Sequence, residues 1–280
     1  MSLLDLAGLA SEQWGLVTTA QAGGVGASTQ TMARWANEGA LTRLSHGVYK
    51  VAGSSYDPRD ELRAAWLALD PGRLAAERLV SEPIDAVVSH SAAARVHRLG
   101  DMSADRHQFI VQGRKQTRRA DVQIRRRSGG IDPNSWRVVD GLPTTTVLTT
   151  IVDLATDHVD GGHLAGVVRD AIATSAVDLR ELSTALRPFA HQYGGRLGDG
   201  DALIERFLDE AGIPQSMLDA ADLLTSMSRA AFSDADLREL AEKLASSDVR
   251  KMLEALSKPS TQRNLAQLNE TLEALRRAAG

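Results

Sequence analysis

The sequence predicts an α+β fold in three parts: a small N-terminal domain over residues 1–53, a mixed α/β domain over 54–200 and a helical region over 201–280. The first part contains two helix patterns followed by a short hairpin pattern. In the second part, short apolar strands alternate with helices, and in the third part apolar residues recur at helical spacing. Aromatic residues are only 4% of the chain, so Leu, Val, Ile and Ala must fill most of the cores.

The composition is that of an ordinary globular protein. The 280 residues are 43% hydrophobic and 24% charged, with a net charge of −4. The absence of cysteine excludes disulfides and thiolate metal sites and fits a reducing compartment. No apolar run reaches the roughly 18 residues of a membrane span, and the first residues lack a signal-peptide pattern. We therefore expect a cytoplasmic protein without a membrane segment.

The glycine-rich segment TAQAGGVGAST, residues 19–29, has two alternative interpretations. A phosphate-binding loop would need a buried strand before it and, in the P-loop form, Lys-Ser or Lys-Thr after it. Here the preceding run from Leu3 to Trp14 has helical spacing, and Ala27-Ser28 follows the last glycine. A turn between two helices therefore fits better than a nucleotide site.

The first of these two helices is short. Thr18 or Thr19 can cap its start, and we expect it to end at Ala22. Glycines 23, 24 and 26 permit the bend, and Val25 is expected to fill the angle between the helices.

The second helix has an apolar face and a polar face. Ser28 can cap its start, and Gly39 is expected to end it. Gln and Asn side chains can bond adenine and Arg can bond guanine, although a solvated helix would also be polar. The apolar face comprises Met32, Trp35 and Ala36, and the polar face comprises Gln30, Ala33, Arg34 and Asn37.

A hairpin pattern directly follows the second helix. We expect strands at 41–44 and 48–51, joined by the turn Ser45-His46-Gly47. A hairpin in this position is the wing of a winged helix-turn-helix, and its tip would lie near the DNA backbone. Tyr49 is expected to be a core residue. The predicted DNA-binding set is Thr19, Ser28, Thr29, Gln30, Arg34, Asn37, Arg43, His46 and Lys50.

The middle of the chain predicts a mixed α/β domain. Asp57 is expected to cap a helix that has Pro58 at its first position and ends near Leu69. The other elements are strands at 84–88, 108–112, 122–126 and 135–139, and helices at 89–99, 147–156, 162–173 and 178–187.

A basic segment lies within this middle domain. Residues 106–127 contain eight basic residues and one acidic residue, and we expect a hairpin over 108–127 with a basic tip. This arm is a candidate for a second DNA contact or a partner contact. Alternatively, it is a solvated tip whose arginines pair with nearby carboxylates. The residues concerned are Arg114, Lys115, Arg118, Arg119, Arg125 and Arg127.

The sequence offers no enzyme signature. No histidine pair has the i, i+4 spacing of a metal-binding helix, and Ser89-His90-Ser91 lacks the glycines of a nucleophile elbow. The strand expected at 122–126 carries none of the carboxylates that a Mg²⁺-dependent nuclease would need. We therefore expect a protein that is not an enzyme and that uses neither a cofactor nor a metal.

The order and spacing of several motifs resemble the AbiEi-type antitoxins of type IV toxin–antitoxin systems. These motifs are GLVTTAQA from Gly15, GALTRLSHGVYKV from Gly39, DPRDELRAAWLAL from Asp57, AVVSHSAA from Ala86 and VDGLPTTT from Val139. The resemblance covers roughly residues 15–175. The chain departs from the family pattern after Pro143, where an expected arginine is missing, and between Gly72 and Pro83, which is a longer stretch.

The resemblance implies two tasks. The N-terminal domain would bind repeats in the operon's own promoter and repress it, and the remainder would counteract a nucleotidyltransferase-like toxin. Residues 1–50 hold three basic and three acidic residues, so the N-terminal domain alone is nearly neutral and would bind DNA weakly. Further affinity would come from self-association on DNA or from the basic arm. The alternatives are a stand-alone transcriptional regulator with a ligand-sensing middle domain, a DNA-targeted nuclease and a protein-interaction module.

Overall fold

The computed structural model describes residues 2–103, 105–113, 115–127, 129–174 and 176–210. Most of the helical region expected at 201–280 therefore lies outside the described residues. The chain forms two compact units. The first comprises the residues up to Arg98 with Met102–Asp153, and the second comprises Leu99–Asp101 with the described residues from Leu154 onward.

Three helices and a three-stranded antiparallel sheet open the first unit, and the sheet has the order β1-β3-β2. The strand β1 was not among the sequence expectations, because its three residues are all buried and show no alternation. The elements are α1 (Leu3–Ser11), β1 (Leu16–Thr18), α2 (Thr19–Gly24), α3 (Thr29–Asn37), β2 (Leu41–Ser45) and β3 (Val48–Val51).

The turn between α2 and α3 differs in detail from the sequence prediction. Gly23 and Gly24 lie inside α2, and only Gly26 has a positive φ, of +92°. Val25 is 45% exposed, so the prediction that it fills the angle between the helices is wrong. Ala27 is buried instead, at 2% exposure, in the same hydrophobic cluster as Ala22, Met32 and Trp35.

The remainder of the first unit is built around a five-stranded mixed sheet with the order β6-β5-β4-β8-β7. The helix predicted from Pro58 instead begins at Asp60, because the Asp57 carboxylate accepts the main-chain N–H of Arg59 in a preceding turn. The elements are α4 (Asp60–Leu69), α5 (Ala75–Leu79), β4 (Ala86–Val88), α6 (His90–His97), β5 (His107–Val111), β6 (Val122–Arg125), a short 3-10 helix (Pro133–Ser135), β7 (Trp136–Val139), β8 (Leu142–Thr145) and α7 (Val147–Thr156), whose last residues, from Leu154, belong to the second unit.

The strands β5 and β6 run parallel, with His107 opposite Val122 and Ile110 opposite Arg125. The predicted hairpin over 108–127 is therefore wrong, since a hairpin joins antiparallel neighbours. The segment between the two strands is a crossover connection, which brings the chain back to the end of the sheet where β5 begins.

One hydrophobic core joins the N-terminal sheet to the five-stranded sheet. Leu16 and Val48 belong to the same buried cluster as Trp66, Phe109 and Leu142. The Trp66 indole is fully buried and donates a hydrogen bond to the Ala86 carbonyl oxygen at 3.0 Å. Residues 1–53 therefore share their packing with the rest of the first unit, and burial of apolar surface holds the two parts together.

The second unit contains the helices α8 (Gly161–Ala173), α9 (Leu179–Leu186) and α10 (Gly200–Glu210), together with a 3-10 segment at Arg187–Tyr193. Asp160 and Asp178 cap α8 and α9 through their carboxylates. Phe207 of α10 packs edge-on against Tyr193, with ring centroids 5.5 Å apart. Across the part of the chain that the structure describes, we find no helix with the length and apolar character needed to cross a membrane.

Candidate nucleic-acid interface

The helix α3 presents to solvent the polar face that the sequence predicts. Gln30, Arg34 and Asn37 are exposed, whereas Met32 and Trp35 lie in the core at 0% and 8% exposure. Hydrogen bonds fix the start of the helix, as expected: the Ser28 hydroxyl accepts the Thr31 main-chain N–H at 3.1 Å. Ser28 and Thr29 are themselves exposed at this end. The helix therefore offers one row of hydrogen-bonding side chains on a rigid support.

Arg34 lies beside a carboxylate on the same helix. Its Nε is 3.8 Å from Glu38 Oε1, and the two side chains are 64% and 58% exposed. An exposed i, i+4 pair of this kind contributes only about 0.3–0.5 kcal/mol. The Arg34 guanidinium can therefore leave Glu38 for a stronger hydrogen-bonding partner at little cost.

The turn between β2 and β3 lies against the start of α2. The Thr19 main-chain N–H donates to the Gly47 carbonyl oxygen at 2.8 Å, and its hydroxyl approaches the same oxygen at 3.3 Å. Arg43 and His46 are exposed at this turn, and their side chains are joined at 3.0 Å between Nη2 and Nδ1. The turn thus brings Arg43 and His46 together, and Gly47 of the same turn contacts Thr19 at the start of α2.

Lys50 departs from the sequence prediction. It is 9% exposed, and its ammonium group forms an ion pair with the Asp60 carboxylate and donates to the Ser55 carbonyl oxygen at 2.6 Å. The physical reason is the pleat of the central strand β3. Lys50 shares a face with Val48, and this face packs toward α4 rather than toward solvent. The contact predicted between Lys50 and the DNA backbone is therefore wrong.

Three basic side chains of this segment form ion pairs within the fold. Lys115 Nζ donates to the Leu69 carbonyl oxygen at 2.7 Å and lies 3.3 Å from Asp85. Arg119 is paired with Asp121, its Nε lying 3.1 Å from Oδ1, and Arg127 is paired with Asp153.

The other members of the basic segment differ in exposure. Arg125 is half-buried at the end of β6, and Arg118 is exposed. Arg114 lies outside the described residues. Arg119 and Arg127 thus pair with carboxylates, as the alternative interpretation expects, although the hairpin that both interpretations assumed is not formed.

The burial of two polar side chains, Arg78 and His90, was not predicted from the sequence. The Arg78 side chain is fully buried, donates to both Asp85 oxygens at 3.2 and 2.9 Å and stacks on Trp66 with its guanidinium carbon 3.6 Å from the ring centre. Burial lowers its pKa, and Asp85 partly compensates. His90 begins α6 with a φ of +53°, and burial, aided by Arg125 and Arg127, lowers its pKa to about 3. No local sequence signal marks either residue as buried, because the burial comes from tertiary packing, such as that of Arg78 on Trp66.

In the portion of the chain covered by the structure, no three histidine, aspartate or glutamate side chains are grouped so that they could hold an ion. The exposed row on α3 and the neighbouring β2–β3 turn remain the arrangement best suited to contact a macromolecule.

Comparison with known proteins agrees with this location. Residues 5–52 match a family described as "Transcriptional regulator, AbiEi antitoxin", and this match includes most of α1 together with α2, α3 and the β2–β3 hairpin. A search of curated proteins found no significant match. The match confirms the family resemblance for the N-terminal segment and indicates an antitoxin or regulator role. The chain is thus similar to this family over residues 5–52, a stretch of 48 of its 280 residues.

Proposed function

We propose that this chain is an antitoxin whose N-terminal winged helix-turn-helix binds double-stranded DNA at its own promoter and represses its operon. One observation carries the proposal: the exposed row Gln30, Arg34 and Asn37 lies on α3, within the segment that matches the regulator family. The arrangement of α2, a tight turn, α3 and a β-hairpin supports the same interpretation.

In the proposed complex, α3 enters the major groove. Gln30 and Asn37 form hydrogen bonds with adenine edges, and Arg34 forms them with guanine. Arg34 gives up its weak ion pair with Glu38 to make this contact. The hydroxyls of Ser28 and Thr29, at the start of α3, bond phosphate oxygens. Such contacts set the register of the helix on the duplex and carry no sequence information themselves.

The turn between β2 and β3 contacts the backbone beside the groove. Arg43, His46 and Thr19 form this contact, because the turn holds them together at the start of α2. Lys50 is left out of it, since its charge is already neutralised by Asp60. Of the predicted basic arm, only the exposed Arg118 enters the proposal as a second contact.

The remainder of the chain would counteract a nucleotidyltransferase-like toxin encoded beside it. The support is the family role together with motifs that continue beyond residue 52, such as VDGLPTTT from Val139. Co-expression with the product of the neighbouring reading frame tests this part. Growth arrest by that product alone, relieved by this chain, would support it, and arrest that persists would count against it.

The DNA-binding part is tested with the double variant Gln30→Ala/Arg34→Ala. We expect loss of binding to a duplex from the chain's own promoter, with an unchanged melting temperature, because both side chains are exposed. Arg180→Ala is a matched control, since Arg180 is an exposed arginine on α9. Unchanged gel shifts for the double variant would refute the assignment of α3 to the groove.

A stand-alone transcriptional regulator is the second candidate. The observation in its favour is that the family match ends at residue 52, within the part that would contact DNA. Promoter binding without any effect on the neighbouring gene product would support this alternative. Co-purification of the two proteins would argue for the antitoxin.

A further inference from the structure

We infer that Arg73 is an additional contact to the DNA backbone, carried by the segment 71–75 outside the family-matched residues. This inference rests on the proposed function, since it needs the N-terminal domain to bind a duplex. It names a second chain segment that completes the phosphate-contacting surface around the start of α2.

Three hydrogen bonds hold the segment 71–75 against α2 and the residues before it. The Thr18 hydroxyl donates to the Pro71 carbonyl oxygen at 2.5 Å, and Gln21 Nε2 donates to the Arg73 carbonyl oxygen at 2.8 Å. The Ala75 main-chain N–H donates to Gln13 Oε1 at 3.2 Å. Arg73 is therefore fixed beside the helix start that also contacts the β2–β3 turn.

Two buried glutamines make this attachment rigid. Gln13 and Gln21 are 2% and 5% exposed, and their side chains bond each other at 2.6 Å between Nε2 and Oε1. Gln21 Oε1 also accepts the Thr18 main-chain N–H at 2.9 Å. Buried amides with these partners have little freedom to move, so the backbone of Arg73 keeps its place relative to Thr19.

The charge of Arg73 is available to a phosphate. Its Nη2 donates to the Glu77 carbonyl oxygen at 3.0 Å, a neutral acceptor, and within the described ranges no carboxylate forms an ion pair with it. This distinguishes it from Lys50, whose charge is neutralised. Arg73 is half-buried and the neighbouring Gly72 is exposed, with no atom of a described residue beyond its two chain neighbours within 4 Å of the position that a Cβ would take there. A duplex backbone can therefore approach the segment closely.

The N-terminal domain needs such a cation. Within residues 1–50, Arg34 is assigned to a base and Lys50 is buried, which leaves Arg43 as the exposed arginine for the backbone. Each neutralised phosphate adds about 0.9 to the slope of log affinity against log salt. Arg73 thus doubles the contribution of fixed positive charge at this surface.

The test is the salt dependence of binding by full-length Arg73→Ala, Arg73→Lys and wild-type protein. The probes are a duplex from the chain's own promoter and a scrambled duplex of equal length. We expect Arg73→Ala to flatten the slope by about 0.9, so that its ratio to wild-type affinity changes about 3.5-fold between 50 and 200 mM salt. Arg73→Lys keeps the slope because it keeps the charge, and Arg180→Ala leaves it unchanged.

Three outcomes separate the inference from the proposed function. Equal slopes for wild type and Arg73→Ala would overturn the inference and leave DNA binding intact. A loss of preference for the promoter duplex over the scrambled one would also overturn it, because a phosphate contact weakens both equally. If wild type binds neither duplex, the proposed function fails and the inference fails with it. The melting temperatures of the Arg73 variants should lie within about 1 °C of that of wild type, which excludes misfolding as the cause of a weaker salt dependence.

Discussion

Replacing Lys50 by methionine should destabilise the protein without lowering its affinity for DNA. The ammonium group and the Asp60 carboxylate form a buried ion pair, with side chains 11% and 6% exposed. Removing one partner of a buried pair typically costs about 3–5 kcal/mol, because the other charge stays in a medium that solvates it poorly. Here Asp60 would keep the Asp57 main-chain N–H at 3.1 Å and Arg63 at 3.6 Å. We therefore expect the lower end, about 3 kcal/mol.

Urea unfolding followed by tryptophan fluorescence measures this change, with linear extrapolation to water. The double variant Lys50→Met/Asp60→Leu serves as the control. It removes both charges and leaves apolar side chains in their place, so we expect it to lie within about 1 kcal/mol of wild type. Arg43→Ala provides the contrast on the functional side. It should leave stability unchanged and flatten the salt dependence of DNA binding by about 0.9 in log–log slope.

The opposite pattern would refute the placement of Lys50. If Lys50→Met unfolds at the wild-type urea concentration and binds DNA with a flatter salt slope, the side chain is free and reaches a phosphate. The two outcomes cannot coincide, because a charge buried against Asp60 is not available to a duplex.

Three further predictions concern the first unit. Trp66→Ala should lower the free energy of unfolding by about 3–5 kcal/mol. Both sheets should still unfold in one transition, with coincident midpoints by fluorescence and circular dichroism, because they share one core. Burial lowers the pKa of His90 to about 3 in the folded protein, so His90 stays neutral at pH 5 in the folded state but is protonated in the unfolded state. The free energy of unfolding should therefore fall by about 2 kcal/mol as the pH is lowered to 5. His90→Asn, which tolerates the φ of +53°, should remove that part of the acid sensitivity, and an unchanged pH profile would exclude His90 as its source. Gly26→Ala should destabilise by about 1–2 kcal/mol because its φ is +92°, whereas Gly24→Ala, inside α2, should be neutral or stabilising in the same thermal melts.

Local chemistry made α3 and the hairpin predictable. Ser28 caps the helix, Met32 and Trp35 mark its buried face, and the turn at Gly47 has a φ of +74°, which favours glycine. All of these signals lie within about 20 residues, so the sequence alone contains them.

The errors share a different cause, which is pairing over long range. From its position in the hairpin, Lys50 was predicted to contact DNA, but its ion pair with Asp60 comes from a different element. The basic segment was predicted to be a hairpin, but β5 and β6 run parallel. The strand β1 is too short for a period and is defined only by its pairing with β3. In each case the deciding partner comes from tertiary packing, which local propensity does not encode.

The distribution of charge also limits how a single domain can bind. With charged backbone contacts from Arg43 and Arg73, the slope of log affinity against log salt would be about −2, so affinity would fall only about 12-fold between 50 and 200 mM salt. A regulator making 6–10 phosphate contacts loses about 10³–10⁵ over the same range. One domain of this kind would therefore hold a duplex weakly, and its selectivity would depend on the bases that Gln30 and Arg34 reach. Two domains on repeated sites would double the slope, so the measured slope counts the domains bound to a promoter and tests whether self-association supplies the missing affinity.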